Sequence, residues 1–115
     1  MLLNPYLGRN WYEAAKEVAF TLSRRIAGTH QQASLAKGTK LADREIAVEF
    51  VKYLIRHNVL EIKKRTTRSV VVMLRPEFRS AITNFAEDGQ IAPIFNEFFQ
   101  PYLKTIVAET RIPQV

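Results

Sequence analysis

The sequence predicts one α+β domain that is mostly helical, in which two helices joined by a tight turn precede a two-stranded hairpin and further C-terminal helices. Two patterns support this fold. Apolar residues recur at three- and four-residue steps in several stretches, as on one face of an amphipathic helix. Two short β-rich runs, 59–63 and 69–74, lie between those stretches. A chain of 115 residues suffices for one core, so we expect a single domain, 1–115.

The N-terminal part, 1–28, is predicted to hold one amphipathic helix from Trp11 to Ala27, ended by Gly28. The first ten residues are too apolar for a free tail. Pro5 and Gly8 interrupt them too often for a long helix. We therefore expect this segment to pack against the chain itself or against a second copy.

The next part, 29–58, is predicted to hold the two helices and their turn. Thr29 and Gln32 have the spacing of a capping box, which predicts that a short helix starts at Thr29. Gly38 suits its end, and the longer helix is predicted from Asp43 to His57, with Asn58 as its stop. Apolar residues are spaced so that both helices can share one core: Leu35, Ala36, Leu41 and Ile46.

A hairpin is predicted over 59–75, with strands Val59–Lys63 and Ser69–Leu74. If Thr66 and Thr67 form the turn, Leu60 lies opposite Met73 and Ile62 opposite Val71 on one apolar face. The connection lacks the Asn-Gly or Asp-Gly pair that favours a tight turn, so a longer loop is the alternative.

The C-terminal part, 76–115, is predicted to hold two helices. Pro76 suits the first turn of one that ends at Asp88-Gly89, and the other runs from Ile91 to Glu109, with a kink or break at Pro101. The last helix carries more large apolar residues than so small a core is expected to cover, so we predict a homodimer, with burial of these residues inside the monomer as the alternative. The candidate interface residues are Leu3, Tyr6, Ile94, Phe95, Phe98, Phe99 and Tyr102.

Composition narrows the function. Lysine and arginine number 17 against 11 acidic residues, giving a net charge of +6. This excess predicts a polyanionic partner, although a soluble protein that is merely basic is the plain alternative. The chain has no cysteine, so disulfides and thiolate metal sites are excluded. With no apolar run of about 18 residues and no secretory signal, we expect no membrane contact and a cytoplasmic protein.

Enzyme chemistry is not predicted. The two histidines, His30 and His57, have no sequence neighbours that would make a metal pair or a nucleophile and base. The carboxylates are scattered, and no glycine-rich phosphate loop is present. We therefore expect no catalytic residues, no metal and no cofactor.

The central stretch resembles the winged helix-turn-helix of bacterial and archaeal transcription regulators, most closely the MarR type. The resemblance rests on Leu35-Ala36, then Leu41, then the segment from Ala42, and on the stretch RSVVVMLRPEFRSAI, which resembles the second wing strand and the start of the next helix. It covers about half of the chain. Lys40 stands where the family usually has a turn glycine, and Ala42 where it usually has a serine or threonine cap.

The resemblance implies sequence-specific binding of double-stranded DNA by a small dimeric regulator. The recognition helix would enter the major groove, and the basic hairpin would contact phosphates or a minor groove. Glu45 and Glu49 oppose phosphate approach on part of that helix. The implied DNA-binding residues are Lys40, Asp43, Arg44, Val48 and Lys52 on or before the helix, and Lys63, Lys64, Arg65, Thr66, Thr67 and Arg68 on the hairpin.

A second hypothesis of another class stays open. The chain is then an interaction or RNA-binding subunit of a larger assembly, and its aromatic C-terminal helix docks another protein. The acidic residues of the longer helix favour this hypothesis, whereas the hairpin charge and the net +6 favour DNA binding.

Overall fold

The computed structural model describes residues 5–37 and 44–100, with side chains from residue 11 onward. Helix α1 spans Pro5–Arg24, so it starts six residues before the predicted Trp11 and ends three before Ala27. The prediction that Pro5 and Gly8 interrupt the first ten residues too often for a long helix is wrong for 5–10. Proline fits the first position of a helix, where no amide partner is needed, and one glycine inside costs only about 1 kcal/mol.

The predicted helix start at Thr29 is also wrong. Thr29–Gln31 forms a short strand, β1, and the following Gln32–Ala36 segment is a 3-10 helix. Gln31 occupies the cap position of that helix without a side-chain cap hydrogen bond. The local capping pattern is overridden because the backbone of Thr29–Gln31 pairs with a distant strand instead.

Helix α2 spans Arg44–Arg56, which confirms the predicted longer helix to within one residue at its C-terminal end. Asn58 follows with a φ of 63°, in the left-handed region expected of a helix stop. The side chains of α2 that face the core are Ala47, Phe50, Val51, Tyr53 and Leu54. The turn residues Gly38, Lys40 and Leu41 and the predicted first residue, Asp43, lie outside the described residues.

The hairpin consists of β2 (Leu60–Arg65) and β3 (Val70–Leu74), and β1 adds to β3 in an antiparallel sheet of order β1-β3-β2. The predicted hairpin register is wrong by one residue, since Leu60 pairs with Leu74 and Ile62 with Val72. A bulge after Ile62 then shifts the pairing, so that Lys64 meets Val71. β3 is apolar on both faces, and its alternation therefore does not fix which face turns inward.

The C-terminal part begins with a 3-10 turn, Pro76–Phe78, followed by α3, Arg79–Asp88. Gly89 ends α3 with a φ of 70°, as the sequence predicted. The last predicted helix begins two residues late, with a 3-10 turn at Pro93–Phe95 that continues as helix through 96–100. Its remainder, with Pro101 and Tyr102, lies outside the described residues.

An aromatic cluster fills the core between α1, α2, α3 and this last segment. Phe50, Phe85, Phe95 and Phe99 are fully buried, and the Phe99 ring centroid lies 4.7 Å from that of Trp11 on α1. Phe95 and Phe99 are therefore corrections to the predicted dimer interface, because their side chains pack inside the chain. The core covers them because α1 supplies Trp11 to the same cluster.

The last segment is also tied to α2 by polar contacts. The Tyr53 hydroxyl donates a hydrogen bond of 2.6 Å to the Ile94 carbonyl, and the His57 ring lies 3.1 Å from a Glu97 carboxylate oxygen. The molecule is thus an α+β fold, mostly helical, with a small three-stranded antiparallel sheet. Within 5–37 and 44–100, no helix has the length and hydropathy needed to cross a membrane.

Candidate nucleic-acid interface

The tip of the hairpin is a tight turn organised by Thr66. Its amide donates to the Ser69 carbonyl at 2.8 Å, and its hydroxyl oxygen accepts from the amides of Ser69 and Arg68 at 3.0 and 3.3 Å. The hydroxyl thus closes the turn in place of the missing Asn-Gly pair. Thr67 and Arg68 are the central turn residues, one position later than predicted, and both are exposed.

The four basic residues of the hairpin are all exposed. Lys63, the extra residue of the bulge, lies 3.9 Å from Glu61 and is partly neutralised. In the described parts of the chain, no carboxylate lies within 4.0 Å of the other three, Lys64, Arg65 and Arg68. Three exposed cations within five residues, none with a carboxylate partner among the described residues, give this tip a strong positive potential.

The outer face of α2 has mixed charge. Arg44 is exposed at its start, and no carboxylate of the described residues pairs with it. Lys52 lies 3.7 Å from Glu49, which weakens it as a phosphate ligand, and Glu45 is exposed beside Arg44. Val48 is half-buried. The remaining two predicted positions, Lys40 and Asp43, lie outside the described residues.

A groove of about 510 Å³ separates the hairpin tip from α2 and the first 3-10 helix. It brings together five of the predicted DNA-binding residues: Val48, Arg65, Thr66, Thr67 and Arg68. Arg44, Lys52, Lys63 and Lys64 do not line it. The two predicted parts of the site, helix and hairpin, therefore meet along this groove.

Other polar groups near the sheet are already engaged. Arg25 donates to the Thr29 carbonyl at 3.3 Å, and the His30 ring nitrogen lies 3.1 Å from the Arg25 carbonyl. Burial lowers the pKa of His30, and the Arg25 charge lowers it further, against the opposing effect of that hydrogen bond. This lowered pKa favours the neutral form of His30, which then adds no charge to the basic surface.

Arg75, beyond the hairpin, pairs with Glu77 at 3.5 Å. A hydrogen bond from its own backbone lowers the pKa of the exposed Glu77 carboxyl, and Arg75 lowers it further. Arg75 is therefore less available to an external anion than the three tip cations. Over 5–37 and 44–100, no group of three histidine, aspartate or glutamate side chains is placed to hold a metal ion.

Sequence reasoning missed two features of this surface. Thr66 was assigned to DNA, but its hydroxyl is occupied inside the turn, and its three-residue spacing to Ser69 is the signal that predicts this. The groove itself was not predicted. Its other lining residues, such as Ala33 and Val70, meet only through the long-range pairing of β1 with β3.

Comparison with known proteins yields no matching family model, no matching curated protein and no matching solved structure. Support for a function comes accordingly from the geometry of the hairpin and of α2. The feature that most constrains the function is the group of exposed cations at the hairpin tip.

Proposed function

We propose that this chain is a winged-helix protein that binds double-stranded DNA and acts as a transcriptional regulator. The observation that carries the proposal is the exposure of Lys64, Arg65 and Arg68 at the hairpin tip with no carboxylate partner among the described residues. Each phosphate that such a cation neutralises releases condensed counterions, and this release favours binding. The hairpin is the wing in this proposal, and α2 is the recognition helix.

The two elements have separate tasks. The hairpin cations contact phosphates, which fixes the position of the protein on the duplex but reads no sequence. The exposed Arg44 guanidinium at the start of α2 can pair bidentately with a guanine in the major groove, and Val48 can contact a thymine methyl group. Substitutions in the hairpin should therefore lower the affinity for DNA of any sequence. Substitutions of Arg44 should instead reduce the preference for one sequence over another.

We further propose that two copies bind two half-sites. Ile94 and Phe98 are partly buried, and together with Leu3, Tyr6 and Tyr102, whose side chains lie outside the described residues, they form the proposed interface. A twofold dimer presents two wings and two recognition helices, so it favours an operator with inverted half-sites one helical turn apart.

The test measures binding to random-sequence duplex DNA over a salt series, for the parent protein and for Lys64→Ala/Arg65→Ala/Arg68→Ala. DNA binding by the parent should weaken steeply as salt is raised. In the triple variant, the slope of log K against log salt should be shallower by up to about 0.9 per lost phosphate contact. The control, Lys16→Ala/Arg24→Ala/Arg56→Ala, removes the same charge from α1 and the far end of α2. If the slope falls equally in the control variant, DNA binding depends only on net charge. That result contradicts the assignment of the hairpin as a DNA-contacting wing.

The second candidate, a protein-interaction or RNA-binding subunit, is favoured by one observation. Glu45 and Glu49 are exposed on the face of α2 that would enter the major groove, and Glu49 offsets Lys52. If the parent binds no duplex at moderate salt, DNA binding is abandoned. The same titration with single-stranded and duplex RNA then separates RNA binding from docking to another protein.

A further inference from the structure

The hairpin tip carries three hydroxyl groups within four residues, on Thr66, Thr67 and Ser69. Two of them are engaged inside the turn. The Thr66 hydroxyl oxygen accepts from two backbone amides, and it lies 3.2 Å from the Ser69 hydroxyl oxygen. The Thr67 hydroxyl has no hydrogen-bond partner among the described residues, and Thr67 is an exposed central residue of the turn. Of the three hydroxyls, the one on Thr67 is therefore available to a partner that approaches the tip.

Basic residues flank this hydroxyl in the sequence. Lys64 and Arg65 stand three and two positions before Thr67, and Arg68 follows it directly. All three cations are exposed, and no carboxylate of the described residues lies within 4.0 Å of them. An enzyme with an acidic substrate cleft is the partner that fits this surface, because opposite charges steer the encounter and select the substrate.

We propose that Thr67 is a phosphoryl acceptor for a serine/threonine kinase with an acidic substrate cleft, and that its phosphorylation weakens DNA binding by the hairpin. The kinase supplies a nucleoside triphosphate with Mg²⁺. The Thr67 hydroxyl oxygen attacks the γ-phosphorus, and the new O–P bond forms as the bond from this phosphorus to the β,γ-bridging oxygen breaks. Nucleoside diphosphate leaves, and the hydroxyl proton passes to the carboxylate base of the kinase.

Phosphorylation changes the charge of the tip. A phosphothreonine carries about −1.5 to −2 charges at pH 7, so it offsets about two of the three tip cations. Its oxygens accept charge-assisted hydrogen bonds from guanidinium groups, and Arg65 and Arg68 lie within two residues of it. Cations engaged in this way no longer release counterions from DNA. The effect on DNA rests on the proposed function, whereas phosphoryl transfer to Thr67 does not.

The first experiment treats the full folded chain with Mg-ATP and the catalytic subunit of cyclic-AMP-dependent protein kinase, which selects acceptors preceded by basic residues. Fragmentation mass spectrometry then locates the phosphoryl group. Thr67 should be the main acceptor. Thr66 and Ser69 should be labelled at least about tenfold less, because their hydroxyls first have to leave the hydrogen bonds of the turn. No transfer to the folded chain, or a main acceptor other than Thr67, overturns the assignment.

Thr29 serves as an internal control for exposure without charge. Its side chain is exposed and, among the described residues, its hydroxyl has no hydrogen-bond partner. Ile26 and Ala27 occupy the positions three and two residues before it, where Thr67 has two cations. Thr29 should therefore stay unlabelled. If Thr29 is labelled as fast as Thr67, the charge of the tip does not select the acceptor, which contradicts the proposed recognition.

A pair of double variants tests the cations directly. Lys64→Ala/Arg65→Ala should lower kcat/KM for transfer to Thr67 by at least about tenfold, because it removes the charges that the acidic cleft recognises. The matched control, Lys16→Ala/Arg24→Ala, removes the same charge from α1 and should stay within about twofold of the parent. Equal losses in the two variants would mean that net charge alone governs transfer, which overturns recognition through the tip.

The second experiment compares binding to random-sequence duplex DNA before and after stoichiometric phosphorylation. Phosphorylation should raise Kd at low salt by at least about tenfold and make the slope of log K against log salt shallower by up to about 1.8, the value for two lost phosphate contacts. Thr67→Val carried through the same kinase treatment is the control, and its treated and untreated forms should bind DNA equally.

Unchanged DNA binding by the fully phosphorylated parent overturns the regulatory half of the proposal. A rise in Kd of equal size for treated Thr67→Val also overturns it, because the effect then comes from another residue. If the untreated chain binds no DNA, the proposed function fails, and the location of the phosphoryl group still decides whether Thr67 is the acceptor.

Discussion

In the sequence, the hairpin tip and the aromatic C-terminal segment, 91–100, both resemble interaction surfaces, but the core covers much more of the segment than of the tip. The tip exposes Lys64, Arg65 and Arg68, whereas the segment buries Phe95 and Phe99 completely. The difference follows from the energetics of burial. A guanidinium or ammonium group has to stay in water unless it is paired, so its location is fixed by its own chemistry. A phenylalanine can be covered by any apolar partner.

For the aromatic segment, the covering partners come from distant parts of the chain. The Phe99 ring lies against Trp11 of α1, at 4.7 Å, and Phe50 of α2, at 5.9 Å between centroids. The prediction placed Phe95 and Phe99 in a dimer interface because it counted the apolar residues of one helix and underestimated the core available to bury these two rings. Composition alone does not reveal which other element supplies the missing contacts.

The largest loss of stability is expected at Phe99, whose side chain is fully buried. Phe99→Ala should lower the free energy of unfolding by about 3 to 5 kcal/mol, because it leaves a cavity in a fully buried cluster. Denaturant titration measures the loss, and it should not depend on protein concentration. Phe20→Ala, at an exposed position of α1, is the control and should change stability by less than about 0.5 kcal/mol. A loss for Phe99→Ala that grows on dilution would instead support an interface.

A smaller loss of stability is expected when the hydrogen bond between the C-terminal segment and α2 is removed. Tyr53→Phe removes the donor to the Ile94 carbonyl and should cost about 1 to 2 kcal/mol. Burial raises the pKa of Tyr53 above its ordinary value of 10.0, and the nearby Glu97 carboxylate raises it further.

This shift also gives Tyr53→Phe a signature in pH. Above about pH 10 the unfolded chain ionises this tyrosine more readily than the folded chain does, so the parent loses stability as pH rises. The variant should lose less over the same interval. Parallel pH profiles for the two proteins would contradict the buried, hydrogen-bonded position of Tyr53.

Local patterns predicted those parts of the fold that local interactions decide. Apolar periodicity located α2 and α3, and Asn58 and Gly89 have the left-handed φ angles expected at their ends. Strand β1 was missed because Thr29 and Gln32 satisfy a local capping pattern, and only β3, some 40 residues away, determines the strand. The predicted hairpin register was wrong because β3 is apolar on both faces, so its sequence does not show which face packs on the core.

The candidate site also has features that the sequence predicts and features that depend on tertiary structure. The exposure of the hairpin cations was predictable from their charge. The ion pair of Lys63 with Glu61, at 3.9 Å, was not predicted, although residues two apart in a strand face the same side. The groove was least predictable, since it exists only where β3 carries the hairpin tip beside Val48 and Ala33.

The smallest expected effect lies at the tip itself. Lys64→Ala/Arg65→Ala/Arg68→Ala should change the free energy of unfolding by no more than about 0.5 kcal/mol, because these side chains are exposed and have no ionic partner among the described residues. Thr66→Val is the contrasting variant at the same tip. It should cost about 1 kcal/mol, because it removes the hydroxyl that accepts from the Ser69 and Arg68 amides. If the triple variant loses more free energy of unfolding than Thr66→Val does, the cations stabilise the hairpin itself, which contradicts a role confined to binding an anionic partner. Unchanged stability with weakened DNA binding is the combination expected of residues retained for binding.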